Sequence, residues 1–230
     1  MIAFWIVAVL VIGGLLAWAA GRSKPEAARW ISAGALAIDL ALVVWAWLRP
    51  AATLSRSGAK TWLADVDWSW IPRFGIRFHL VLDGLSLVLV ALTVFIGFLA
   101  VLASWKGITK RLGFFHFNLL WVLAGIAGVF LAADLFLFYF FWELMLVPMY
   151  FLIGIWGHEN RIYAPFKFFL FTQASGLVML VSILALHVVH IRATGIATFD
   201  YTQLLGTTLT PAAGLWITQM EEHTSELQSH

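Results

Sequence analysis

Between positions 2 and 190 the chain returns six times to an apolar run of about twenty residues, and that recurrence restricts the fold more than any other feature. A helix of ~20 residues rises 1.5 Å per residue and crosses the ~30 Å hydrocarbon core of a bilayer. Inside hydrocarbon every backbone N–H and C=O has to find its partner within the protein, which leaves helices and closed barrels as the only spanning forms. Runs of this length are helices, so the expected class is an all-α polytopic membrane protein. Composition agrees: 62% of the 230 residues are hydrophobic, 11% are charged, and the mean hydropathy is +0.92. A soluble domain of this size cannot bury so much apolar surface. The 13 tryptophans suit the aromatic belts of a helix bundle in a bilayer. There is no cysteine, so this chain holds no iron–sulfur cluster or thiolate-bound metal by itself. A pI near 9.1 does not call for nucleic acid as a partner, because loop Lys and Arg set topology in a membrane protein.

The runs fall at 2–20, 30–48, 81–104, 115–133, 135–156 and 166–190. The first lacks a basic leader segment and carries Trp5 and Trp18, so it reads as a retained helix. The second is interrupted by Asp39. A polar stretch over 192–210 precedes "PAAGLWITQM", which reads as the opening of a seventh helix. Loops one, three and five are short and basic, with Arg22, Lys24 and Arg29, then Lys106, Lys110 and Arg111, then Arg161. Loop four holds only Asp134. The positive-inside bias therefore puts the odd loops in the cytoplasm and the N-terminus on the periplasmic side. The longer second loop weakens that contrast with its own basic residues, but it also carries Asp65 and Asp67. Within it, "GIRFHLVLD" alternates Ile76, Phe78 and Leu80 with Arg77 and His79, a period of two that predicts a short strand on the outer face. Trp62, Trp68 and Trp70 would anchor it at the interface, and an interfacial loop with no role beyond packing is the plainer alternative.

The last ten residues do not continue this pattern. "EEHTSELQS" has no apolar period and carries three acidic residues, and its coding sequence matches a common sequencing-library adapter. We expect residues 1–220 to be the native transmembrane part and 221–230 a non-native tail. Without the tail, 14 basic residues face 9 acidic ones.

Ionisable side chains inside a span cost about 2.5–3.5 kcal/mol at mid-bilayer on insertion scales, so each is a functional candidate. Glu143 is foremost. It stands nine residues past Asp134, ~13 Å into the helix and near the bilayer centre. Pro148 follows five residues later; its ring clashes with the carbonyl of Leu144, so a kink and a freed carbonyl are expected one residue from the carboxylate. The alternative is a structural glutamate bonded to a neighbouring helix. Lys167 opens the sixth run in "FKFFLFTQASGL", where a lysine commonly reaches back to the headgroups. It would otherwise face the bundle as a relay member. "TQASG" next to it suits close helix contact. Asp39 lacks an evident partner. Asp83 reads as a helix cap. His187 and His190 share a helical face and suit interfacial contacts, a metal or a relay. No phosphate loop, nucleophile elbow or dinucleotide fingerprint is present, and no metal ligand set is expected.

Taken together, "FFWELMLVPMYFLIGIWGHE", "KFFLFTQASGLVML", "WIPRFGIRFHLVLDGLSL" and "GFFHFNLLWVLAGIAGVFLAADLFLFYF" resemble the chain M family of bacterial proton-pumping NADH:quinone oxidoreductase, respiratory complex I, the counterparts of mitochondrial chain 4. The resemblance runs from Met1 to about Met220 and implies the N-terminal part of a fourteen-helix antiporter-like subunit. It implies a non-redox, proton-translocating role in the membrane arm, in the bacterial inner membrane. The partners implied are the other membrane-arm subunits, two of them related antiporter-like chains, and NADH, FMN, iron–sulfur clusters and quinone are expected in other subunits. Glu143 falls on the family's helix-five glutamate of the proton channel, and Lys167 on a lysine the family also carries. The family's partner lysine on helix seven, its helix-eight lysine and a later glutamate would lie beyond Met220, so Glu143 is expected here without its partner, protonated at neutral pH, and the chain is expected to be a truncated piece that does not pump alone. The alternatives are an Mrp-type cation/proton antiporter subunit and a non-transporting membrane scaffold.

Overall fold

The computed structural model describes residues 1–48, 55–57, 60–157 and 163–207. Among these, six helices are long and apolar enough to cross a membrane: α1 (Ile2–Ser23), α2 (Pro25–Trp47), α3 (Gly84–Gly107), α4 (Leu112–Leu131), α5 (Leu135–Trp156) and α6 (Tyr163–Thr194). A one-turn helix, α7 (Tyr201–Leu204), follows. The proposed seventh span and the C-terminal tail lie outside the described residues.

Two boundaries differ from expectation for local reasons. Pro25 sits at the first position of α2, where its missing N–H costs nothing, so the helix starts there and only Lys24 separates it from α1. The polar residues Glu26 and Arg29 are thus the first turns of a helix. Asp39 does not interrupt α2, which runs unbroken to Trp47. The sixth span extends to 32 residues and carries its last turns past His190. As the sequence indicated, Asp83 caps α3: it accepts from Ser86 N–H at 2.7 Å while its own N–H donates to Ser86 Oγ at 2.8 Å.

The alternating segment is a strand, β4 (Ile76–Leu82), paired antiparallel with β3 (Ala64–Ile71); a second small ribbon joins β1 (Ser55–Ser57) to β2 (Lys60–Trp62). The β3–β4 hairpin is stitched to the bundle end. Ala133 N–H donates to His79 C=O at 2.9 Å, and Arg77 N–H to Asp134 Oδ2 at 3.0 Å. Asp134 also caps α5 through Phe136 and Leu137 N–H. Loop six joins the same layer through Leu135 N–H to Phe199 C=O and Tyr201 N–H to Ala133 C=O, both 2.9 Å. Loops two, four and six therefore form one hydrogen-bonded cap. At the other end, Arg29 donates to Ile108 C=O at 3.2 Å and the Trp156 indole to Lys110 C=O at 3.0 Å, which gathers the basic loops.

Helix α4 is the hub, packed on α1, α2, α3 and α5, while α6 packs on α5. Ile6, Leu10, Leu36, Val90, Val94, Leu120 and Leu131 are fully buried in the α1–α4 core. Lipid supplies no hydrophobic drive for such contacts, so close packing of interlocking side chains holds this bundle together.

Candidate functional site

Glu143 projects from the middle of α5 onto α6. A Cβ placed on Gly176 would stand 2.5 Å from Glu143 Oε1, so the glycine leaves room for the carboxyl group in the position it holds here. The expected close contact of "TQASG" is therefore real, and its purpose is a notch for an acid. Oε1 is buried and has no hydrogen-bond partner among the described residues; the same holds for the neighbouring indole nitrogen of Trp142. Tyr139, one turn earlier on α5, brings its phenol to the same carboxyl group. Ser175, beside the notch, is buried at 3% exposure. Pro148 lies inside a helix that continues to Trp156, and it offers no N–H to Leu144 C=O. A carboxyl with an open oxygen, beside a backbone carbonyl without its helix donor, can take a proton from water and return it.

Lys167 is not brought to this notch. It is exposed, lies nine residues before Gly176, hence ~13 Å along α6 toward the basic end, and holds its Nζ 5.7 Å from the Phe171 ring. His187 and His190 turn to different partners: His187 Nδ1 contacts Thr198 C=O at 2.7 Å with its ring stacked on Phe199, and His190 Nδ1 contacts Thr207 Oγ1 at 2.7 Å. Both tie α6 to loop six. Among the described residues no group of three His, Cys, Asp or Glu side chains could hold a metal. Asp39 is fully buried in the α1–α4 core, with no partner for either oxygen among the described residues.

The cap contains an arrangement the sequence did not announce. His79, 4% exposed, stands between two carboxylates, with Nδ1 3.0 Å from Asp200 Oδ2 and Nε2 3.1 Å from Asp65 Oδ1. Burial alone would lower its pKa, but the hydrogen bond to Asp200 and the charges of Asp67, Asp200 and Asp65 raise it above the ordinary 6.5. Burial pushes Asp200 up, but hydrogen bonds from His79 and Thr202 outweigh it and hold the carboxyl at about 2. Arg77 pairs with Asp67 on the same hairpin. His79 and Asp200 are 121 residues apart, so no local pattern could have linked them.

Six spans under a hairpin cap are the fold of an antiporter-like membrane subunit. The family model described as "NADH:quinone oxidoreductase/Mrp antiporter, TM" matches residues 132–217, and the chain belongs to that family of membrane subunits. Within it, the chain is 53% identical over 209 residues to NADH-quinone oxidoreductase subunit M of Escherichia coli (strain K12), covering 88% of this chain and 41% of that protein. To NADH-quinone oxidoreductase subunit M of Pseudomonas aeruginosa (strain PAO1) it is 52% identical over 219 residues, or 92% of this chain and 43% of that protein. The fold is also similar to a chain of respiratory complex I from Thermus thermophilus with bound NADH, with a TM-score of 0.77 at 24% identity, covering 96% of this chain and 42% of the other. The chain thus spans about two fifths of the length of the curated relatives it matches.

Proposed function

We propose that this chain contributes to proton translocation in the membrane arm of an NADH:quinone oxidoreductase, with Glu143 as the group that carries the proton. The observation that supports this reading is the Glu143 notch. A carboxyl group at mid-bilayer depth is costly, yet α6 gives up a side chain at Gly176 to admit it and leaves one oxygen open. An open oxygen leaves a place at which water or a cation can meet the acid. In the complete subunit, a cation from a later helix and channel water would face that oxygen. Quinone reduction in other subunits would bias the pair between charged and neutral states. Lys167, on the basic side of α6, is the less direct candidate for passing protons toward it. The basic loops belong on the cytoplasmic side and the hairpin cap on the periplasmic side. No redox group is assigned to this chain; the membrane-arm neighbours are its partners.

The test is Glu143→Gln in the full-length subunit, assembled in the complex and reconstituted in vesicles. Amide replaces acid at nearly the same shape and cannot carry a proton. Proton uptake coupled to quinone reduction should fall by about 10²-fold, the scale on which a positioned proton-transfer group acts. Unchanged uptake would leave the subunit a scaffold. The family also includes Mrp antiporters, so the same vesicles are assayed with and without sodium; transport that requires sodium would move the reading to a cation/proton antiporter.

A further inference from the structure

At the end of the bundle opposite the cap, α2 and α4 begin side by side, and two confluent cavities of about 230 and 600 Å³ open there, sharing Pro25, Thr109 and Leu112 in their walls. Arg22, Lys24, Arg29 and Arg111 line them, against one acid, Glu26. Among the described residues none of these four cations is ion-paired. Arg22 stands in the last turn of α1, where helix ends favour a cation, but Lys24 and Arg111 stand where they do not. The N-cap of α2 is Lys24 and that of α4 is Arg111, neither gives a side-chain cap, and α4 has no acid in its first turn. Helix starts carry partial positive charge and open N–H groups, so Ser, Thr, Asp or Asn is the usual occupant. Arg111 moreover adopts φ 52°, ψ 44°, a left-handed conformation that glycine would fill without strain.

The walls are firmly held. Arg29 donates to Ile108 C=O, and its Nε is buried with no partner among the described residues. The Arg22 guanidinium lies 4.4 Å over Trp18. Helices α1 and α4 touch at Gly21, where a Cβ would meet Gly113 Cα at 2.5 Å. Trp30 and Trp105, edge to face at 5.1 Å, mark this level as the membrane interface. Topology alone asks only for basic residues somewhere in the short loops. It does not explain basic caps on two helix starts around a shared cavity.

We propose that this cavity binds the phosphate of an anionic phospholipid. The phosphodiester oxygens would accept from Arg22, Arg111 and the first-turn N–H groups of α4, while Trp18 and Phe114 receive the glycerol end of the acyl chains.

The experiment is native mass spectrometry of the full chain in detergent, titrated with phosphatidylglycerol, phosphatidylcholine and inorganic phosphate. Phosphatidylglycerol should be retained over phosphatidylcholine, and Arg22→Gln and Lys24→Gln should each weaken that retention about fivefold, as ~1 kcal/mol per surface cation implies. Both side chains are exposed, so folding is not at stake. Arg22→Lys should keep most of the binding, and Arg73→Gln on the hairpin at the opposite end should change nothing. Equal retention of the two lipids, or an equal loss from Arg73→Gln, would overturn the proposal. So would displacement of phosphatidylglycerol by millimolar inorganic phosphate, which would make the site one for free anions.

Discussion

At the scale of single residues, the decisive contact is between Glu143 and Gly176. Glu143 could be found in the sequence because a lone acid in an apolar run is costly and therefore conspicuous. Gly176 could be suspected from its small neighbours but not assigned, because its partner stands 33 positions away on another helix. Gly176→Ala should force either the carboxyl or α6 to move. The atom met is the free end of a flexible side chain, so the carboxyl should turn aside at less than the ~1–3 kcal/mol of core overpacking, and the melting temperature of the chain in detergent should fall slightly. An unchanged melting temperature would mean that the notch is loose. Asp39 makes the opposite prediction. Its carboxyl is buried without a partner among the described residues, so Asp39→Leu should stabilise the chain by about 1–3 kcal/mol in the same assay. A loss of stability would reveal a partner for the acid.

At the scale of elements, the spans were legible because bilayer thickness dictates their length. Half of the hairpin was legible. Strand β4 is legible from its alternation; β3, "ADVDWSWI", alternates too, Ala64, Val66, Trp68 and Trp70 against Asp65, Asp67 and Ser69, but it lies in a long polar loop rich in Trp, where those rings read only as interfacial anchors. Its identity comes from pairing, with Asp67 opposite His79 and Val66 opposite Leu80. The same alternation misled for His79, which lies in the buried layer because two acids receive it there. This bridge fastens the hairpin to loop six. His79 has a pKa above its ordinary 6.5, so its contribution is complete below pH 6.5 and fades as pH rises through the raised value. Asp200, held at about 2, contributes fully above its ordinary 3.8 and loses its part only as pH falls toward 2. The cap should be tightest between about pH 4 and 6.5. Hydrogen exchange of the Ala133 and Tyr201 amides, corrected for intrinsic rates, should be slowest in that window and speed up in alkali. His79→Ala should abolish this dependence and cost about 3 kcal/mol, since it leaves two carboxylates facing each other. Exchange insensitive to pH would show that the bridge carries no weight.

At the scale of the whole molecule, the two ends differ in kind. One is a hydrogen-bonded cap of strands and acids, and the other is a set of short basic loops around helix starts. The chain has no cysteine, so single cysteines report sidedness without background. Ser69→Cys on the hairpin should react with an impermeant maleimide in intact cells, and Lys24→Cys only in inverted vesicles. The reverse pattern would invert the topology and the direction of any proton path through Glu143. That path is the centre of the account. It is tested most directly by counting protons translocated per quinone reduced, in vesicles carrying the complete complex with Glu143 or Glu143→Gln. The account predicts that quinone reduction persists in the variant while the proton ratio drops. A variant that reduces quinone and pumps at the full ratio would contradict it.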